Sequence, residues 1–221
     1  MRGSLKRSRL GEGSRAFLRC RGGNATIEFA LVLPIFITLG MFGAEVANMA
    51  MVNMQVSQVA MAVADNASRL GQTDNSSITP TVSESEIESV LSGAMQQGSG
   101  LDLAGSGRIV LSSLERHPFS GRQYIHWQRC KGGLEKQSKY GPAGTGTDGD
   151  FDGMGRTGQK IQARNNTAVM YAEVFYEYQG LFGDMFVGNQ MFQQEAAFEI
   201  RDDRNLTPGV TGTGGSSNCQ S

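Results

Sequence analysis

The pattern of apolar and polar positions is dominated by one uniformly apolar run near the start of the chain. Phe29 to Ala44 carries no charge and is rich in Leu, Ile, Val and Phe. Extended back to Gly22 it becomes a window of 23 residues with a single charge, Glu28, which matches the ~20 residues needed to cross a bilayer. The pattern then turns helical. Leu39, Phe42, Val46, Met49, Val52, Val56, Val59 and Val63 recur in steps of three and four, one stripe along a helix. No charge, Pro or Gly falls between Val46 and Ala64, and Gly71 supplies a stop. The spacing predicts a helix from about Ala25 to Leu70, roughly 70 Å long, of which the hydrocarbon takes about 30 Å. The outer half must bury its stripe against its own head, against neighbouring copies or pilin-like partners, or against both. Pro34 weakens the helix ladder locally, as membrane helices tolerate.

Past Gly71 the periods shorten. Ser83 with Glu86 reads as a capping box, followed by Ile87, Val90, Leu91, Ala94 and Met95 on one helix face, with Gly98 as the stop. Four strand candidates come next. "RIVLSSL" (108–114) and "RQYIHWQR" (122–129) flank the turn "ERHPFSG" and predict a hairpin. "TAVMYAEVFYEY" (167–178) puts Met170, Val174 and Tyr176 on one face and Tyr171, Glu173 and Glu177 on the other. "QEAAFEIR" (194–201) points Ala196, Phe198 and Ile200 inward against Glu195, Glu199 and Arg201. Strands clustered after helices predict an α+β fold, an antiparallel sheet of about four strands packed on the outer helix stripe. Trp127 is expected in its core. The expected domains are a basic leader (1–23), a membrane and stalk helix (24–70), and a head (71–221) with a glycine-rich loop at 141–166 and a flexible tail at 205–221.

Charge orients this plan. The overall net charge of -1 conceals a leader, 1–23, with seven basic residues and one acid, while the remainder nets -7. A basic head before an apolar run keeps the N-terminus in the cytoplasm and sends the rest across. Nucleic acid is excluded as a partner, since the acidic body repels phosphate. No small-x-small cleavage site follows the apolar run closely, so the helix is expected to be retained. Of three cysteines, Cys20 lies on the reducing side, leaving Cys130 and Cys219 as the pair that an oxidising compartment would join; two free thiols are the alternative. Closing so long a loop is worth on the order of 3–5 kcal/mol on chain-entropy grounds.

A carboxylate inside a membrane helix costs about 2.5–3.5 kcal/mol on insertion scales and usually has a partner. No Lys, Arg or His lies within reach of Glu28 on the same helix. An amino terminus created at Asn24 by cleavage after Gly23 would serve, placing Glu28 fifth in the mature chain. Snorkelling near a helix end, without processing, is the competing account. A basic leader ending in glycine, then "NATIEF", then an apolar helix resembles the processing pattern of type IV prepilin-like proteins. More narrowly, "GNATIEFALVLPIFITLGMFGAEVANM" resembles the start of the TadE-like family, pseudopilins of the tight adherence (Flp pilus) system. "HWQRCKGG", "YGPAGTG" and "TAVMYAEVFYEYQGLF" are similar to its downstream part. The resemblance implies a prepilin peptidase acting between Gly23 and Asn24, with Glu28 and Phe29 as recognition residues. It also implies other pilins or pseudopilins of the Tad system as partners, within the inner membrane. Asn24 stands where type IVa pilins usually carry Phe.

Little else points to chemistry. "DGDFDG" places Asp148, Asp150, Asp152 and Gly153 like the first half of an EF-hand loop for Ca²⁺, but Gln159 occupies the closing Glu position, and a solvated acidic turn explains the stretch equally. His117 and His126 lack a partner spacing, and no hydrolase, zinc-protease, Walker or dinucleotide motif occurs. The expectation is a single-pass inner-membrane protein without enzymatic activity or cofactor, its head in the periplasm or on the cell surface. The rival is a membrane-anchored extracytoplasmic enzyme or binding protein.

Overall fold

The computed structural model describes residues 24–71, 79–213, 215 and 217–219, with the backbone alone for Asn24. The leader, including Gly23 and Cys20, lies outside the described residues. The chain divides into two units between Val46 and Ala47.

One helix, α1 (Asn24–Ser68), runs through this division. Then come β1 (Val82–Ser83), α2 (Glu84–Gln97) and a short α3 (Leu103–Ser106). The strands β2 (Gly107–Arg116), β3 (Gln123–Lys131), β4 (Ala168–Tyr178) and β5 (Gln190–Glu199) follow, and β6 (Val210–Thr211) closes the order. The four long strands form one antiparallel sheet in the order β3-β2-β4-β5, so the fold is α+β as the pattern predicts. β5 starts four residues earlier than its alternating run because Gln190 to Gln193 pair with the C-terminal end of β4, Phe175 to Tyr178. β1 and β6 form a separate parallel pair, Val82 opposite Val210; two-residue strands leave no period to detect.

Both faces of the sheet are covered, for different reasons. On one face the helical stripes meet it. Val56, Val59, Ala60, Val63, Ala64 and Ala67 of α1 join Ile87, Leu91 and Ala94 of α2 against Ile109, Leu111, Trp127, Met170, Ala172 and Val174. The α2 stripe begins where expected because Ser83 accepts from the Glu86 amide while Glu86 accepts from the Ser83 amide, the reciprocal capping box. Ala196, Phe198 and Ile200 pack at the margin of the same core.

The second face is where periodicity gives an incomplete picture. Tyr171 and Glu173, on the more polar face of β4, are also buried. The long β3–β4 connection folds back over them: Met154 and Ala163 are buried with Leu114, Ile125, Val169 and Tyr171, and Tyr140 and Phe151 pack alongside. That connection adopts positive φ at Gly146 and Gly153, where an added Cβ would lie 2.3 Å from the Gln123 carbonyl oxygen and 2.2 Å from that of Ile161. Glycine there lets the loop lie directly on the sheet.

Candidate functional site

Asn24 opens α1, and Glu28 and Phe29 follow in its second turn, both exposed. From Ile27 to Leu39 the large apolar side chains are exposed on every side of the helix, Phe29, Leu31, Ile35, Phe36 and Leu39 each by more than 60 %. The apolar window has a mean hydropathy of 2.0, and none of it is buried. A helix that is apolar all round and uncovered by its own chain suits lipid or other apolar helices, and it fits a single-pass membrane anchor. Inside it, Thr38 Oγ1 donates to the Pro34 carbonyl at 2.8 Å, a side-chain bond beside the break that proline makes in the ladder.

From Val52 onward the predicted stripe is covered by its own head. Polar contacts align α1 with β4 and β5: Asn48 Nδ2 donates to the Tyr178 hydroxyl at 2.9 Å, Gln194 Nε2 to Asn53 Oδ1 at 2.7 Å, and Arg201 pairs with Asp65. The last carbonyls of α1 are taken up by Arg204, which donates to Ser68 O at 2.8 Å, and by the Arg201 amide at 3.2 Å. Burial pulls the Arg204 guanidinium down to about 10 despite Glu115, Glu86 and Asp202 nearby. Glu45, fully buried, went unmarked in the sequence, where it stands as one acid just past an apolar run.

Cys130 and Cys219 form a disulfide with Cα atoms 4.8 Å apart. The Cys130 amide also donates to the Ser217 carbonyl at 2.7 Å, and the Ser217 hydroxyl bonds Glu88 on α2. Glu88 further pairs with Lys131 and Glu84 with Arg129, so α2, β3 and the tail are held at one place. Hydrogen bonds from Lys131 and Ser217 hold the Glu88 carboxyl below its usual range.

Asp148, Asp150 and Asp152 are exposed; Asp150 lies 3.5 Å from Arg122. Among the described residues no group of three His, Cys, Asp or Glu side chains is placed to hold a metal ion.

The two histidines, apparently unrelated in sequence, line one open cavity of about 480 Å³ with Glu115, Arg116, Tyr124 and Thr207. Glu115 is buried there, accepting from Ser113 Oγ at 2.7 Å and lying 2.9 Å from His126 Nδ1. This carboxylate orients the imidazole, whose Nε2 faces Gly209 so closely that a Cβ there would sit 3.2 Å away. The ring is thus packed against the segment leading to β6. A second polar cluster lies over β4 and β5. Tyr171 and Tyr140 both donate to Glu195 Oε2, at 2.6 and 2.9 Å, and Glu173, opposite Glu195 in the strand register, accepts from Ser138 Oγ and the Lys139 amide. Burial pushes the Glu173 carboxyl up to about 7, against the pull of those two donors. Burial likewise raises the Tyr171 phenol, reinforced by Glu195. Neither cluster was legible from spacing, because each joins residues from separate strands and loops.

The TadE-like protein family matches residues 23–65, the stretch that carries the N-terminal part of the sequence resemblance; the downstream stretches likened to the family lie outside the match. No curated protein and no solved structure matches the chain. The match relates this stretch of α1 to TadE-like membrane proteins of the Tad pilus.

Proposed function

We propose that this protein is a pseudopilin-like inner-membrane protein, cut by a prepilin peptidase between Gly23 and Asn24, that takes part in Flp/Tad pilus assembly and adhesion. The observation that carries the reading is an uncovered, all-apolar helix whose first turns hold one acid, Glu28, within a segment matching the TadE-like family. Cleavage puts a free amine on Asn24, one helical turn from Glu28. An amine from the same or an adjacent copy then compensates the carboxylate, which offsets its desolvation and sets the axial register between neighbouring helices. The N-terminus is cytoplasmic and the head periplasmic or on the cell surface, consistent with a basic leader and a disulfide in the head.

The test is N-terminal sequencing of the mature membrane protein, alongside Glu28→Ala in cells. A mature chain beginning at Asn24, with processing, piliation or both impaired in the variant, is expected. A wild-type chain that still begins at Met1 removes the peptidase from the account.

A further inference from the structure

The sheet has two outer strands, β3 and β5, and the fold treats their edges differently. Along β3 other parts of the chain take up outward groups. The Ile125 amide donates to the Thr145 carbonyl at 2.9 Å, the Gly144 amide to the Ile125 carbonyl at 2.7 Å, and the Cys130 amide to the Ser217 carbonyl. Along β5 the register says where each group points. The Ile200 amide donates to the Ala168 carbonyl at 3.0 Å, so every second residue back from it, Phe198, Ala196 and Gln194, faces β4 with its N–H and C=O. Met191, Gln193, Glu195, Ala197 and Glu199 turn theirs outward, and among the described residues none of these backbone groups is hydrogen-bonded.

Nothing in β5 itself guards that edge. Its 10 residues hold no Pro or Lys and pair with β4 without a bulge. The two carboxylates that could repel a further strand are engaged: Glu199 by Arg164 and Thr167, Glu195 by Tyr140, Tyr171 and Gln193. A cavity of about 360 Å³ runs along the same edge, between residues 193–197 and the β3–β4 connection, with Tyr171, Lys139 and Arg156 in its wall. Lys139 lies 4.0 Å from Glu195. Arg156, exposed, is in no ion pair among the described residues. Two cations against one carboxylate leave the cavity with an unmatched positive charge.

We infer that β5 is an acceptor edge for one extended segment of a partner protein, which pairs with the outward amides and carbonyls and places an acidic side chain in this cavity beside Arg156. Main-chain bonds supply the affinity, and the cavity, which meets every second side chain of the added strand, supplies the specificity. The acid that a second copy's β5 brings, Glu195, is already bonded within its own head, so the occupant is a different chain. The inference concerns the head and holds whether or not the leader is cut. For the test, random peptides of 10 residues, the length of β5, are displayed on phage and panned against the full chain in lipid nanodiscs, with empty nanodiscs subtracted. Enrichment of β-branched sequences carrying an acid is expected, and the enriched peptide should slow amide exchange at Gln193, Glu195 and Ala197. Arg156→Glu should weaken its binding about tenfold or more, the loss of one hydrogen bond to a charged group. Ala197→Pro removes an outward donor while sparing the bonds to β4 and should abolish binding; Arg156→Glu, on an exposed loop, decides the matter if that variant does not fold. No enrichment, or binding that Arg156→Glu leaves unchanged, overturns the inference. Slowed exchange at the same amides in a dimer of the chain alone makes a second copy the occupant and overturns it as well.

Discussion

Asn53 on α1 and Gln194 on β5, 141 residues apart in the chain, share a hydrogen bond of 2.7 Å at the half-buried seam between helix and sheet. The bond stands in the stretch of α1 where the stripe passes from exposed to buried, between Val46 at 40 % exposure and Val56 at 0 %. It therefore fixes which turn of the helix meets which residue of β5. A double-mutant cycle on Asn53→Ala and Gln194→Ala, read by denaturant unfolding in detergent, should return a coupling of about 0.5–1.5 kcal/mol. Strict additivity of the two would mean that the bond does not set the register.

Below that bond, α1 approaches the sheet on small residues. Ala60, Ala64 and Ala67 are buried to 1 % exposure or less, while Met61, one position along, is 47 % exposed. Ala64→Leu should force side chains off their rotamers and cost about 1–3 kcal/mol, whereas Met61→Leu should stay within about 0.5 kcal/mol. Thermal melts of the two variants make the comparison. Equal effects would mean that the helix face is not seated as described.

The disulfide gives a third prediction. Cys130 and Cys219 are 89 residues apart, so reduction frees a long loop in the unfolded chain and also loosens the tail that borders β3. Cys219→Ser should lower stability by about 2–4 kcal/mol, and reductant should then have no further effect. Maleimide labelling of the unreduced, denatured wild type should modify Cys20 alone in any chain that retains the leader. Labelling at all three cysteines in freshly isolated membranes would contradict an oxidising location for the head.

These contacts show what the sequence makes legible. Periodicity located the seam because Val56, Val59 and Val63 repeat on one helix face, and Ala196, Phe198 and Ile200 alternate toward the core. The Ser83–Glu86 box marked the start of α2 because capping is local chemistry. The cover of the second sheet face left no such mark: the loop that buries Tyr171 and Glu173 has no period, and its contacts depend on glycine φ values rather than on apolar content. The candidate site divides in the same way. Glu28 stands out as one charge in an apolar run, whereas Glu115 meets His126 only through the β2–β3 pairing, and Glu173 meets Glu195 only through the β4–β5 register.

Glu173 also makes stability depend on pH in a definite direction. Burial is the main cause of its raised pKa of about 7, against the ordinary 4.5, with Glu195 adding to it and the Ser138 and Lys139 bonds opposing it. Between those two values the folded protein holds a proton that the unfolded chain has released. The free energy of unfolding should therefore fall as pH rises from about 4.5 to about 7, by up to on the order of 3 kcal/mol, and this contribution should be flat on either side. Glu88 and Glu199 are shifted the opposite way, so their contributions change below 4.5 and leave the window clear. Glu173→Gln keeps an acceptor for the Lys139 amide and cannot ionise. Denaturant midpoints at pH 4.5, 5.5, 6.5 and 7.5 should show the variant gaining on wild type steadily across the series. Parallel profiles would mean that this carboxyl is as well solvated in the fold as out of it, and that the loop does not seal the second face of the sheet.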